Sequence, residues 1–272
     1  MMFEKNLAQI KESFRLFIKN PLYIVLPVLL DLIFLLSVGA SGSFILAKSI
    51  PLLEKFASLS SQPISIETMA SSSDMSSFLS ESMEKTALSN QVLVIFFQFI
   101  MAFVILWIIF QGLNWFLASK LVKGQVSLKT FFLNFSAVSL FWSIVSVLGS
   151  IFIFRILLNN ILNPNNLLNN LTTNIISVIF IAVLLYFMLI SYAISHKYSS
   201  KEFFKQIFKT GIKDFKSIIT AYVFLIILFL TANFIMQLTA KISPLALFFY
   251  GLAIIMPLIA FSRLYLTKTI ER

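Results

Sequence analysis

Hydrophobic and polar positions along this chain repeat one pattern three times. A short stretch with helical alternation of apolar and basic residues leads each time into a pair of long apolar runs. The stretches are Phe3–Lys19, Leu128–Phe135 and Lys201–Lys216. The runs that follow them are 22–46 with 92–118, 137–158 with 174–195, and 217–240 with 245–266. A hydrocarbon layer about 30 Å thick is crossed by about 20 helical residues, and every run meets that length. Lipid offers no partner to backbone N–H and C=O groups, so unalternating runs of this length predict helices rather than barrel strands. The expected fold class is an all-α membrane protein with six transmembrane helices, a single membrane domain over 1–272.

The alternating stretches predict helices lying in the membrane interface, the first over residues 1–20. At 100° per residue, Phe3, Leu7, Ile10, Phe14 and Phe17 fall on one side, and Lys5, Lys11, Glu12, Arg15 and Lys19 on the other. Asn20-Pro21 then predicts a corner, because the residue before proline is pushed away from helical geometry. In the third stretch Phe203, Phe204, Ile207, Phe208, Ile212 and Phe215 oppose Lys205, Lys209, Lys213 and Lys216. The middle stretch, with Leu128, Phe131, Phe132 and Phe135, is shorter. Three cytoplasmic interfacial helices are thus expected, each opening a unit of interfacial helix plus hairpin. Because every unit enters from the same side, the copies would be parallel repeats about an axis along the membrane normal.

Composition supports this picture: 59% of residues are hydrophobic and 12% charged, against about 25% charged in soluble domains. The formal charge of +10 gains its meaning from where it sits. Of the 21 Lys and Arg residues, sixteen flank one set of span ends and four the other, with Arg155 inside a span. The positive-inside rule then places both termini in the cytoplasm, in agreement with six spans. On that face the basic residues Lys11, Arg15, Lys19, Lys205, Lys209 and Lys213 would meet anionic lipid headgroups. No basic motif interleaved with aromatics stands free of the membrane segments, so nucleic acid is not an expected partner. The residues argue neither for nor against a homo-oligomer or a protein partner. The first apolar run is longer than a cleaved signal core and follows about 20 other residues, so it is expected to remain as a span.

On the opposite side, residues 49–91 read as a long extracytoplasmic loop with 13 serines. Pro51 and Pro63 predict its division into short helical pieces. The second outward loop, Asn159–Asn174, is asparagine-rich and carries the glycosylation triplet Asn170-Leu171-Thr172.

Enzyme chemistry finds little support. Gly39-Ala40-Ser41-Gly42 resembles the nucleophile motif of rhomboid intramembrane proteases, but a serine nucleophile needs a base within hydrogen-bond reach. The one histidine, His196, belongs at the cytoplasmic end of the fourth span, whereas Ser41 lies about 28 Å up the first. These small residues instead predict close helix packing, and His196 reads as a residue of the interface. With no cysteine, no thiolate site exists. Zinc-protease, nucleotide-loop and dinucleotide signatures are missing, so no enzymatic activity, cofactor or metal is expected.

Polar residues within the spans are the candidate pathway or substrate positions, because exposing them to lipid is costly. Asp31, Gln111 and Asn114 fall at a similar inner depth. Arg155, Asn233, Gln237 and Gln98 would form a layer in the outer half. Asp31 and Arg155 lie at different levels, which argues against a salt bridge between them. The two sets could line a transport path or bond neighbouring helices. Pro27 and Pro257 are candidate kinks.

Phe14-Arg15-Leu16-Phe17-Ile18-Lys19-Asn20-Pro21, then Leu22 and Pro27-Val28-Leu29-Leu30, resembles a group of prokaryotic six-helix integral membrane proteins. That group includes the membrane domain attached to some glycerophosphoryl diester phosphodiesterases. Gly124-Gln125-Val126-Ser127-Leu128 is similar to its entry into the next amphipathic helix. The resemblance implies a multi-pass protein of a prokaryotic cytoplasmic membrane and no catalytic residues in the membrane part. The expected function is non-catalytic, in membrane organisation or lipid handling. The alternative is a small permease, or a membrane subunit of a transporter, using Asp31 and Arg155.

Overall fold

The computed structural model describes residues 2–60, 72–162, 170–198, 200–241 and 243–271, and every regular element among them is helical. In chain order these are α1 (Met2–Lys19), α2 (Pro21–Ser60), α3 (Ser72–Leu106), a π-helical turn (Trp107–Gln111) and α4 (Gly112–Lys123). They continue as α5 (Leu128–Leu162), α6 (Asn170–Ala193), α7 (Ser200–Lys213) and α8 (Phe215–Ala240). Last come α9 (Pro244–Tyr250), a second π turn (Gly251–Ile255) and α10 (Met256–Ile270). Six helical segments are long and apolar enough to cross a membrane: Pro21–Leu59, Ser82–Lys123, Leu128–Ile156, Thr172–Ala193, Phe215–Ala240 and Pro244–Ile270. Each overlaps one of the six expected spans.

Local chemistry explains the breaks. Asn20 ends α1, its Nδ2 donating to the Leu16 carbonyl at 2.7 Å, just before a proline that has no N–H to continue the ladder. Gly124 ends α4 with φ +80°, a left-handed position that suits glycine, while its N–H bonds the Lys120 carbonyl. Ser243 caps α9, accepting from the Ala246 N–H at 3.0 Å, with Pro244 in the first turn, where its missing N–H costs nothing.

Three expectations about the elements need correction. Leu128–Phe135 is no separate interfacial helix: it forms the first two turns of α5, which runs unbroken to Leu162. No helix breaker separates Phe135 from the apolar run, in contrast to Asn20-Pro21 and to Asp214 between α7 and α8. The stretch 49–91 is helical wherever it is described: α2 continues through Pro51 to Ser60, and α3 begins at Ser72. Pro63, Pro164 and the middle of the 159–174 loop lie outside the described residues. Pro27 leaves α2 unbroken, whereas Pro257 follows the second π turn at the start of α10.

By its internal packing the chain divides into two compact units, residues 33–107 and residues 1–32 with 108–272. In the smaller unit Phe34 makes edge contacts with Phe103 and Trp107, and Lys55 pairs with Glu84 at 2.6 Å. The small residues expected to pack tightly there do not: a Cβ on Gly39 would meet nothing within 4 Å, and one on Gly42 only Phe99 at 3.9 Å.

In the larger unit α4, α6 and α10 pack against one another. Around them α1 packs on α10, α5 on α4 and α6, and α7 on α5, α6 and α8. Burial concentrates at one end of these helices. Among the described residues the last buried one in α5 is Trp142, α6 is buried over Ile190–Ala193 and singly at Thr173, and in α10 burial begins at Ala260. Trp115, Tyr192 and Tyr265, one from each central helix, are all buried, and Phe135 lies 4.6 Å from the Tyr192 ring centre. Rings of this size contribute most of the apolar area that holds the end together.

The short helices bury an unexpected face. In α1 the stripe Gln9, Ser13, Phe17 is buried, while Phe14 and Ile18 stay more than half exposed beside exposed Lys11, Arg15 and Lys19. In α7 Phe203, Ile207, Thr210 and Gly211 are buried, while Phe204, Phe208 and Ile212 are exposed beside Lys205, Lys209 and Lys213.

Candidate functional site

One buried polar cluster lies within the larger unit. Asp31 on α2, Gln111 at the end of the first π turn, Asn114 on α4 and Arg263 on α10 all lie below a tenth exposed. Arg263 meets the Asp31 carboxylate as a fork, Nη1 donating to Oδ2 and Nη2 to Oδ1, both at 2.9 Å. Oδ1 also accepts from Gln111 Nε2 at 3.0 Å and from Asn114 Nδ2 at 2.8 Å. Arg263 Nη2 donates in turn to Gln111 Oε1 at 2.7 Å, closing a ring of donors and acceptors. Tyr23, two turns before Asp31, donates to the Ala260 carbonyl at 3.4 Å and adds a second link between α2 and α10.

The local backbone helps place these groups. Gln111 closes the π turn, which inserts one residue into the helix and re-aims the side chains that follow. Gly112 comes next, where a Cβ would stand 2.9 Å from Phe132 and 3.2 Å from Phe135, so the absent side chain lets α5 close against α4. Asp31 lies about 13 Å along its helix from Leu22, well inside a hydrocarbon layer. A lone carboxylate or guanidinium at such depth costs about 2.5–3.5 kcal/mol to insert. The bidentate pair offsets that cost, and the two amides satisfy lone pairs the guanidinium leaves free.

Asp31, Gln111 and Asn114 stand out in the sequence as polar residues within apolar runs, and the structure brings them together. Arg263 does not stand out, because in the sequence it reads as one of the basic residues flanking the last span. The available signal was its setting, since Phe261, Leu264, Tyr265 and Leu266 surround it with apolar residues, unlike Lys268. Without Arg263 the charge count becomes fifteen against four, and its direction is unchanged.

Gln98, Arg155, Asn233 and Gln237 are all exposed. Arg155 lies about 30 Å along α5 from Phe135, and Asn233 and Gln237 about 27 and 33 Å along α8 from Phe215. These separations are close to the thickness of a hydrocarbon layer, about 30 Å.

His196, expected as a residue of the interface, has a protein partner. Its side chain is fully buried in the turn after α6, and Nε2 hydrogen-bonds Oε1 of Glu271 at the end of α10. Burial alone would raise the Glu271 carboxyl, but the hydrogen bond and charge of His196, with the charges of Lys197 and Lys123, hold it below its ordinary range. On either side of His196 in sequence, the Ser195 and Tyr198 carbonyls accept from the buried amide of Asn134, both at 2.9 Å, which ties α5 to this turn. Among the described residues no group of three His, Asp or Glu could hold a metal ion.

Six helices of this length and apolarity define a polytopic membrane protein. No family model, curated protein or solved structure matches the chain.

Proposed function

We propose that this chain is a non-catalytic membrane protein that organises or handles lipid at the cytoplasmic leaflet of a prokaryotic plasma membrane, with both termini on that side. The observation that carries this reading is the three-sided character of α1 and α7. In each, a buried stripe, an exposed apolar stripe and a basic stripe follow one another round the helix on three separate sides. A helix lying in the interface needs those three faces, toward the bundle, the acyl chains and the headgroups. The order of the faces runs the same way round in both helices. That fits two copies in one leaflet with the bundle on the same hand, as parallel repeats require. Resemblance to the six-helix prokaryotic group is part of the same proposal.

The permease alternative draws on Asp31 and Arg155, but Asp31 is engaged by Arg263, Gln111 and Asn114, and Arg155 is exposed. A carboxylate with its lone pairs so occupied suits a packing role better than a substrate site.

The test is thermal unfolding of the purified chain in nanodiscs of phosphatidylglycerol or phosphatidylcholine, with Lys205, Lys209 and Lys213 each changed to Gln. Each Lys near an anionic surface contributes about 1 kcal/mol. The native chain should therefore gain stability in the anionic lipid, and the triple variant should lose most of that gain. Equal stability of the native chain in both lipids would defeat the proposal. A solute flux in liposomes abolished by Asp31→Asn in a folded chain would favour the permease.

A further inference from the structure

Within the larger unit, α6 and α8 are joined near the end where α8 begins. The Tyr222 hydroxyl donates to the Tyr186 carbonyl at 3.0 Å, and the Tyr186 ring meets the rings of Tyr222 and Phe215. These contacts mark the face that each helix turns toward the other. Counting at 100° per residue, Ala182 and Ile179 lie within about 40° of Tyr186 on α6, and Ile226 and Asn233 within about 40° of Tyr222 on α8.

A face in contact at one level and bare one turn farther on means that the helices part. Ile179 and Ile226 are each 57% exposed, and Ala182 is exposed as well. Farther out, α6 stays with α5, where the Phe180 ring fills the space beside Gly149. There α8 stays with α9, where Tyr250 donates to the Ala232 carbonyl at 2.9 Å. The α5–α6 and α8–α9 hairpins therefore leave a cleft between them, floored by the two tyrosines.

Depth and polarity select what fills it. Asn233 lies eleven residues beyond Tyr222, about 16 Å along α8. Half of a hydrocarbon layer about 30 Å thick, the acyl depth of one leaflet, is about 15 Å. Over that depth the walls are apolar, and neither Asn170–Ala193 nor Ser217–Ala240 contains a charged residue. At the mouth the polarity changes, for Asn233 and, one turn on, Gln237 are exposed amides on the same side of α8. Acyl chains offer such amides no partner, which is costly, whereas phosphate and ester oxygens accept from their N–H groups.

We infer that this cleft binds a phospholipid from the leaflet remote from Phe215. Its acyl chains lie between Ile179 and Ile226, and its headgroup accepts hydrogen bonds from Asn233 and Gln237. Neutral amides make no selection for headgroup charge, so zwitterionic and anionic lipids both fit. The site is separate from the basic faces of α1 and α7, goes beyond the lipid reading drawn from them and does not depend on it.

Photocrosslinking of the full chain tests it. Benzoylphenylalanine replaces Ile179 in the cleft or, as a control, Ile181, which is 51% exposed and lies about 140° round α6 from Tyr186. Each chain is taken from phosphatidylcholine nanodiscs into detergent, washed free of bulk lipid and irradiated, and its adducts are identified by mass spectrometry. The probe at 179 should carry a phosphatidylcholine adduct about fivefold more often than the probe at 181, the factor that one hydrogen bond of ordinary net strength supplies. Asn233→Leu combined with Gln237→Leu should bring the adduct at 179 down to the level at 181. The comparison of the two probes needs no change at the amides, so it holds even where that double variant fails to fold. Equal adducts at the two positions overturn the inference, because the cleft then holds only exchangeable lipid. An adduct joining position 179 to α8 or to a second chain overturns it too, since the cleft is then closed or filled by protein. Neither result alters the comparison of anionic and zwitterionic nanodiscs that tests the basic faces.

Discussion

Arg263 and Asp31 meet across 232 positions of sequence, two parallel N–H···O bonds of 2.9 Å joining the last membrane helix to the first. Both side chains are 7% exposed, so neither charge has an alternative partner in solvent. Replacing Arg263 by Met should destabilise the protein by about 3–5 kcal/mol, because a buried carboxylate is left uncompensated. Combining it with Asp31→Leu should recover most of the loss. Thermal unfolding in detergent checks both, and a double variant no better than the single one would remove the pair from its stabilising role.

Glu271 makes stability depend on acid. Its carboxyl titrates lower in the folded protein than in the unfolded chain, so the stabilisation is fully present above the ordinary carboxylate value of about 4.5. It is lost as pH falls below that value, through the folded pKa, because the unfolded chain then binds the proton more readily. A plot of Tm against pH should therefore fall on its acid side. Glu271→Gln should lower Tm at neutral pH and flatten that fall, and an unchanged acid slope would count against the clasp.

Glycines 112 and 149 separate contact distance from freedom to move. A Cβ on Gly149 would run into Phe180 Cζ, closer than the 2.9 Å that a Cβ on Gly112 would leave to Phe132. Yet Phe180 is only half-buried and offers the far end of a ring that can swing, whereas Phe135 behind Gly112 is fully enclosed. Gly112→Ala should cost about 1–3 kcal/mol as overpacking, and Gly149→Ala less. Gly39→Ala, with nothing within 4 Å, should leave Tm unchanged.

Asn134 holds the turn that carries His196. Asn134→Ala removes the donor to two carbonyls, Ser195 and Tyr198, and should cost about 1–3 kcal/mol. Limited proteolysis should then cut near residues 194–198 faster than in the native chain, while sites in α8 keep their native rates.

The membrane helices were legible in the sequence because lipid imposes a length and a polarity that no packing detail can override. Asp31, Gln111 and Asn114 were legible for the same reason, as polar residues inside apolar runs. Arg263 was not, because a basic residue near the end of a span looks like a flanking charge until its partner on another helix is known. His196 and Glu271 lie 75 positions apart and meet through tertiary packing alone. Pro51 misled because proline lowers helix propensity without forbidding a helix that its surroundings support. The π turn at Trp107–Gln111 has no residue signature, since it arises from how one helix face must be divided between neighbours.

The closed Asp31–Arg263 fork also decides how the protein responds to voltage. A unit charge carried across the bilayer exchanges about 2.3 kcal/mol with a field of 100 mV. The pair has no net charge, so moving it as one body transfers almost none of that energy. Only separating the carboxylate from the guanidinium would create charges on which the field could pull, and in opposite directions. With its fork closed, the bundle is electrically silent at its most polar point.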